Sequence, residues 1–81
     1  MHELSLAMEI CRIVERTVGV DQLSRVTSLG VAVGDQANVE VTSLRFCLES
    51  LVARPPFGRA RVEVVRSGDD ALRLEYLEID E

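Results

Sequence analysis

The segment around which this chain is organised is Val26-Thr27-Ser28-Leu29-Gly30-Val31-Ala32-Val33. Thr27, Leu29, Val31 and Val33 alternate with residues that are mostly small, so that one face is large and mostly apolar. A period of two is typical of a β-strand, whose successive side chains point to opposite sides. The segment therefore predicts a strand over residues 26–33.

Helical periodicity flanks this strand on both sides. Before it, the sequence predicts a helix from about Glu3 to Val18, which Gly19 stops. After it, a loop from Gly34 to Asn38 leads to a second helix from about Val41 to Ala53. Pro55-Pro56 ends that helix, because the residue before a proline disfavours the helical region. The two apolar stripes are Leu6, Ile10, Cys11, Ile13, Val14 and Val18, and Val41, Leu44, Cys47, Leu48, Leu51 and Val52; Phe46 falls off the second stripe.

Two further strands are predicted beyond the prolines. Ala60 to Val65 has Ala60, Val62 and Val64 inward and Arg61 and Glu63 outward. Leu72 to Ile79 alternates until Tyr76-Leu77, which indicates a bulge or a twist. Ser67-Gly68-Asp69-Asp70 has hairpin-turn composition.

The element order is therefore α-β-α-β-β. A strand–helix–strand unit predicts a right-handed parallel crossover, and the last strand then joins antiparallel. We expect an α/β fold of the two-layer α+β kind: a small three-stranded mixed sheet with two helices on one face. At 81 residues the chain is predicted to be a single domain, 1–81, with a small core.

Composition narrows the function. The net charge is −5, and all nine basic residues are arginine. An acidic chain without a basic stripe is a poor candidate for binding nucleic acid or an anionic membrane. No signal peptide is visible and no apolar run approaches the ~18 residues of a membrane span, so we expect a cytoplasmic protein. Cys11 and Cys47 lie on apolar helix faces and are interpreted as small buried hydrophobes.

No nucleophile–base arrangement, phosphate loop or catalytic carboxylate pair is present, so the sequence does not predict an enzyme. The arginines at 54, 59, 61, 66 and 73 have two interpretations. They could form a patch that faces a partner, or they could pair across strands with Glu63 and Glu75.

Several segments, in order, are similar to one known family: Met1-His2-Glu3-Leu4-Ser5-Leu6, Arg25-Val26-Thr27, Val33-Gly34, Val39-Glu40, Leu44-Arg45-Phe46-Cys47-Leu48-Glu49, Leu72-Arg73-Leu74 and Glu78-Ile79. Together they resemble the HypA/HybF hydrogenase-maturation metallochaperones. This resemblance implies transient binding of nickel(II) and assistance to a [NiFe]-hydrogenase. It also implies a hydrogenase large subunit and a nickel-handling GTPase as partners.

The chain departs from the family pattern at one place. The family inserts a zinc domain with two Cys-x-x-Cys pairs between its last two strands, and four such ligands are what structural zinc requires. This sequence has no Cys-x-x-Cys, and only residues 66–70 stand where the insertion belongs. We therefore predict that a tight turn at 66–70 replaces the zinc domain and pairs its flanking strands as a hairpin. No zinc is expected.

The candidate metal site is Met1, His2 and Glu3. Square-planar nickel(II) favours nitrogen donors. The Met1 amine, the His2 amide and the His2 ring form adjacent chelate rings, and a fourth ligand could be the amide or carboxylate of Glu3, or another side chain. Taken without the resemblance, His2 could equally be an exposed terminal residue without a role. Glu40 is either an outer ligand or contact near the N-terminus, or a solvated acid at a helix start.

Two functional hypotheses follow. The first is a nickel-binding accessory protein of hydrogenase maturation. The second is a metal-independent interaction module that docks on a hydrogenase or a maturation partner, or self-associates into a homo-oligomer through a sheet edge.

Overall fold

The computed structural model describes residues 2–34, 38–68 and 72–80, with His2 described by its backbone alone. The elements are α1 (His2–Val18), a 3₁₀ helix (Val20–Arg25), β1 (Val26–Gly34), α2 (Val41–Val52), β2 (Arg61–Ser67) and β3 (Leu72–Ile79). The predicted α-β-α-β-β order and the two-layer α+β fold are confirmed. The 3₁₀ helix was not predicted. Gly19 ends α1 with a φ of 89°, in the left-handed region that favours glycine.

The sheet has the order β2-β1-β3, with β1 in the centre. β1 runs parallel to β2, with Leu29 opposite Val62, and antiparallel to β3, with Leu29 opposite Leu77. The mixed sheet is as predicted, but the predicted β2–β3 hairpin is wrong, because these strands lie on opposite sides of β1. Likewise, Arg66 and Ser67 belong to β2 and not to a turn; Asp69 and Asp70 lie outside the described residues.

The composition of the strands explains why β1 is central. Every residue of β1 except Thr27 is buried, whereas β2 alternates buried or half-buried residues with exposed ones such as Arg61 and Glu63. A strand with two buried faces gains most from neighbours on both sides, and charged strands are better tolerated at an edge. The hairpin prediction rested on the composition of the turn. Turn composition is local, so it carries no information on whether β2 and β3 each pair better with β1 than with one another.

The core lies between the helices and β1. α1 and α2 pack against each other, and each also contacts the sheet. Every member of the two predicted helix stripes except Val41 lies in the core or packs against it, and Phe46 is 68% exposed. Ala7, which was not predicted, is fully buried beside them. The largest fully buried side chains are Ile10, Val14, Val26, Leu29, Val31, Val33, Leu44, Leu48 and Val52.

The cysteines are free thiols that are half-buried at the margin of this core. Their interpretation as small hydrophobes is therefore confirmed in part, since neither is fully buried. Burial raises the pKa of the Cys11 thiol above its ordinary value.

The face of the sheet that carries Tyr76 is built around Gly30. The Tyr76 ring lies so close to Gly30 that a Cβ added there would be 2.1 Å from Tyr76 Cε2. The phenol reaches the far edge strand, where it donates a 2.7 Å hydrogen bond to Glu63 Oε1. A register shift between Gly30 and Val31 leaves Glu75 without a pairing partner, one residue before the predicted break in alternation.

The acids on these edge strands have contacts other than the predicted cross-strand arginine pairs. Glu63 accepts from the Tyr76 phenol, and Glu75 accepts a 2.6 Å hydrogen bond from Arg73 on its own strand. At the far end of β3, Glu78 accepts from the buried Ser28 hydroxyl. The three strands are therefore tied together by side chains as well as by their backbones.

Candidate functional site at the N-terminus

The first turn of α1 is tied to the start of α2. The backbone N–H of Glu40 donates a 3.0 Å hydrogen bond to Oε2 of Glu3. These residues are 37 positions apart, and the bond holds the start of the candidate metal-binding segment against a second helix. Both interpretations of Glu40 therefore hold: its backbone contacts the N-terminal region, and its exposed carboxylate lies at the start of α2.

Local conformation explains why the Glu40 amide is available. Asn38 has a φ of 55°, a left-handed conformation in which asparagine is enriched. Glu40 then serves as the N-cap of α2, and its own carboxylate accepts a 2.9 Å hydrogen bond from Ser43 N–H. The Glu40 N–H precedes the helix and has no acceptor within it, so it can bind Glu3.

A third element reaches the same place. Nη2 of Arg66, near the end of β2, donates a 3.1 Å hydrogen bond to the Val39 carbonyl. Glu3, Asn38, Val39, Glu40 and Arg66 together line an open cleft of about 340 Å³. The sequence placed Arg66 in a turn and grouped it with the sheet arginines, because nothing in its neighbours reveals an acceptor 27 residues away.

The pKa of the Glu3 carboxyl is lowered, chiefly by the hydrogen bond from the Glu40 amide and then by that from its own amide, although burial acts in the opposite direction. Hydrogen bonds donated to the charged form of a carboxyl favour that form. Glu3 also lies in the first turn of α1, where the helix dipole favours an anion. Its side chain is therefore a fixed negative charge at neutral pH.

Of the three predicted metal ligands, only Glu3 is described in full. Met1 and the His2 side chain lie outside the described residues. Within residues 2–34, 38–68 and 72–80, no group of three His, Cys, Asp or Glu residues is arranged to hold a metal ion. The described helices also include none that is long and apolar enough to cross a membrane.

Comparison with known proteins identifies the family. Residues 1–71 match the family described as "Hydrogenase/urease nickel incorporation, metallochaperone, hypA". The chain belongs to the HypA family. The match includes Met1-His2-Glu3, Glu40 and Arg66, so that every residue of the cleft lies within the family region.

Individual HypA relatives agree with this assignment. The chain is 37% identical over 65 residues to hydrogenase maturation factor HypA of Azotobacter chroococcum mcd 1, and likewise to that of Azotobacter vinelandii. It is 40% identical over 63 residues to the factor of the same name from Polaromonas naphthalenivorans strain CJ2. The matches cover 80%, 80% and 78% of this chain but only 58%, 58% and 55% of the relatives. The chain therefore spans a little over half the length of these relatives.

Proposed function

We propose that this HypA family chain is a nickel-binding accessory protein in the maturation of a [NiFe]-hydrogenase, that it acts in the cytoplasm, and that it is not an enzyme. Nickel(II) is its cargo, bound transiently. The observation that carries the proposal is the Glu3–Glu40 hydrogen bond, which fixes the start of α1 within a chain whose residues 1–71 match a nickel-incorporation family.

The donor set comes from the first residues. The Met1 amine, the His2 amide and the His2 imidazole are contiguous, so they require no tertiary arrangement to chelate one ion. α1 begins at His2, and the first N–H groups of a helix lack an acceptor within it. Coordination through the His2 amide therefore costs the helix no internal hydrogen bond.

Glu3 is assigned a positioning role. Its Oε2 accepts a hydrogen bond from the Glu40 amide, and its negative charge would stabilise a nearby cation whether or not Glu3 also ligates the ion. The Glu3 carboxylate lines the cleft and directly follows the chelating residues in sequence, so its negative charge favours a divalent ion.

Nickel titration of the untagged full chain tests the site. His2→Ala should abolish tight binding, because it removes the imidazole donor. Glu3→Gln, which keeps an acceptor for the Glu40 amide but removes the charge, should lower the affinity slightly, whereas Glu3→Ala, which removes both, should lower it about two- to tenfold. Glu9→Gln, an exposed acid on the same helix, is the matched control. Equal nickel affinity for the native chain and His2→Ala would refute the proposal.

Zinc is proposed to be absent from a single domain, 1–81, in which the short connection between Ser67 and Leu72 stands where the family inserts its zinc domain. The protein is expressed with nickel and zinc supplied and is purified without chelator. Elemental analysis of this protein then measures its zinc content. We expect zinc well below one equivalent, with no change in folding after chelation. Stoichiometric zinc that is required for folding would contradict the proposal.

Docking on a partner without metal is the second candidate function. It is favoured by the exposed side chains of Phe46 and Met8, two apolar residues on helix surfaces. The proposed partners are a hydrogenase large subunit and the nickel-handling GTPase, and self-association through a sheet edge is a third candidate. A pull-down with these proteins, repeated with chelator and with His2→Ala, separates the candidates, since metal-independent capture favours docking.

A further inference from the structure

A second cleft lies away from the N-terminal site. It occupies about 330 Å³ between α1 and the C-terminal end of α2, and it shares no lining residue with the cleft at Glu3. Its apolar surface includes Met8, Cys11, Leu51 and Phe57. Met8 is 43% exposed, whereas the other three are partly buried against the core. We call this cleft the α1–α2 groove.

The charge of the groove is opposite to that of the molecule. Its charged lining residues are Arg12 and Arg54, and no acid lines it among the described residues. Arg12 donates a 3.2 Å hydrogen bond to Glu9 at an exposed position. The Arg54 side chain makes no hydrogen bond or ion pair with the described part of the chain. Two guanidinium groups thus border an apolar depression on a protein of net charge −5.

This combination identifies the chemistry of the occupant. An exposed apolar depression favours one large apolar side chain, and guanidinium groups favour carboxylates, which they can bind with paired hydrogen bonds. An anionic membrane or a nucleic acid presents charge over a wide area, so the remaining acidic surface would repel it. A short acidic segment presents its charge only where the arginines lie.

We propose that the α1–α2 groove binds a short acidic segment of a partner protein, in which one large apolar side chain stands between carboxylates. The apolar side chain contacts Met8 and Phe57, and the carboxylates pair with Arg12 and Arg54. This docking does not require nickel, so its outcome is independent of the N-terminal site.

Fluorescence anisotropy on the full chain tests the charge requirement. The probes are labelled peptides with a central leucine between glutamates, and the same peptides with glutamines. We expect binding of the glutamate peptide that weakens as salt rises. Arg54→Glu should weaken it about fivefold or more, because it replaces an attraction with a repulsion. Arg61→Glu is the matched control, since it makes the same charge change at an exposed position on β2 and should leave affinity unchanged.

The apolar requirement is tested separately. Replacing the central leucine of the peptide by alanine, or Met8→Ser in the protein, should each reduce binding, while Phe46→Ser should not. Circular dichroism checks that each variant is folded, and amide NMR shifts should map to Met8, Arg12 and Arg54. Equal affinity for native protein and Arg54→Glu, or shifts confined to the strands, would overturn the proposal. So would light scattering showing a dimer that the native protein forms and Arg54→Glu does not, since a second copy would then occupy the groove. Chelator should change none of these results.

Discussion

At the residue scale, the carboxylates of Glu3 and Glu63 show how one neighbour sets the behaviour of an ionisable group. Glu3 accepts a backbone hydrogen bond and its pKa falls. Glu63 accepts from Tyr76, and that bond instead raises the pKa of the phenol, with burial and the charges of Glu63 and Glu78 acting in the same direction. The two contacts therefore make folding respond to opposite ends of the pH range.

The phenol gives the more accessible measurement, because Tyr76 is the only tyrosine and the chain has no tryptophan. A pKa raised in the folded state stabilises folding below the ordinary value of 10.0, and this contribution is lost as pH rises from there through the folded pKa. Ultraviolet titration should show that Tyr76 ionises at a pH above the ordinary pKa of 10.0. Glu63→Gln should move it back toward the ordinary value, whereas Glu9→Gln, distant in sequence on α1, should not.

The position of Glu3 gives the corresponding prediction in acid. Because its folded pKa is lowered, the contribution of Glu3 to stability is present above the ordinary pKa of 4.5 and is lost as pH falls through the folded value. Carboxyl NMR titration of the native chain should place the Glu3 transition below its ordinary value of 4.5. If Glu3 titrates at its ordinary value, the hydrogen bond from the Glu40 amide is not maintained in solution.

At the element scale, α2 depends on an unusual N-cap. Glu40 satisfies the Ser43 amide with its side chain, whereas its backbone N–H serves Glu3. Glu40→Ala should therefore cost about 0.5–1 kcal/mol of folding free energy by urea denaturation, as N-cap losses do. Glu40→Asp, which keeps a capping carboxylate, should cost less. Neither change removes the backbone donor, so the lowered Glu3 pKa should survive both.

The centre of β1 requires a residue without a side chain at Gly30, where the Tyr76 ring packs. Gly30→Ala should destabilise the fold by about 1–3 kcal/mol, because the new methyl group meets the Tyr76 ring. Combining it with Tyr76→Ala should recover part of that loss, giving a coupling of about 0.5–3 kcal/mol in a double-mutant cycle. Gly68→Ala is the control, since a Cβ added at Gly68 would have no atom of the described residues within 4 Å. Additive losses would show that the ring does not pack on Gly30 in solution.

At the scale of the whole molecule, a small core makes single contacts decisive. A chain of this size is held by about 4–12 kcal/mol, at roughly 0.05–0.15 kcal/mol per residue. Leu44 is fully buried, so Leu44→Ala should remove about 2–5 kcal/mol and lower Tm by about 10 °C or more. Phe46→Ala, two residues along the same helix but exposed, should change stability by less than about 0.5 kcal/mol. Similar losses for both would contradict the observed burial.

The features that the sequence predicted depend on near neighbours in the chain, and those that it did not predict depend on the whole fold. Periodicity located both helices, all three strands and the apolar stripes, because each depends on neighbours within a few residues. The start and end of β3 agree with the prediction, and α2 ends one residue early, at Val52. Strand order was not predictable from the turn-like composition of residues 66–70. It depends on which strand is stabilised most by having a neighbour on both sides. The Glu3–Glu40 contact joins residues far apart in sequence, and only the folded chain brings them together.

The place of β1 between β2 and β3 also bears on how this family can change its length. In a hairpin, the type and length of the connecting turn help to set the register of the two strands. Here each edge strand takes its register from β1, and residues 68–71 have only to bridge two strand spacings, on the order of 10 Å. Each doubling of the length of a loop costs only about 0.6 kcal/mol in chain entropy. A whole module can therefore be gained or lost at this junction while the sheet, the core and the N-terminal cleft stay as they are.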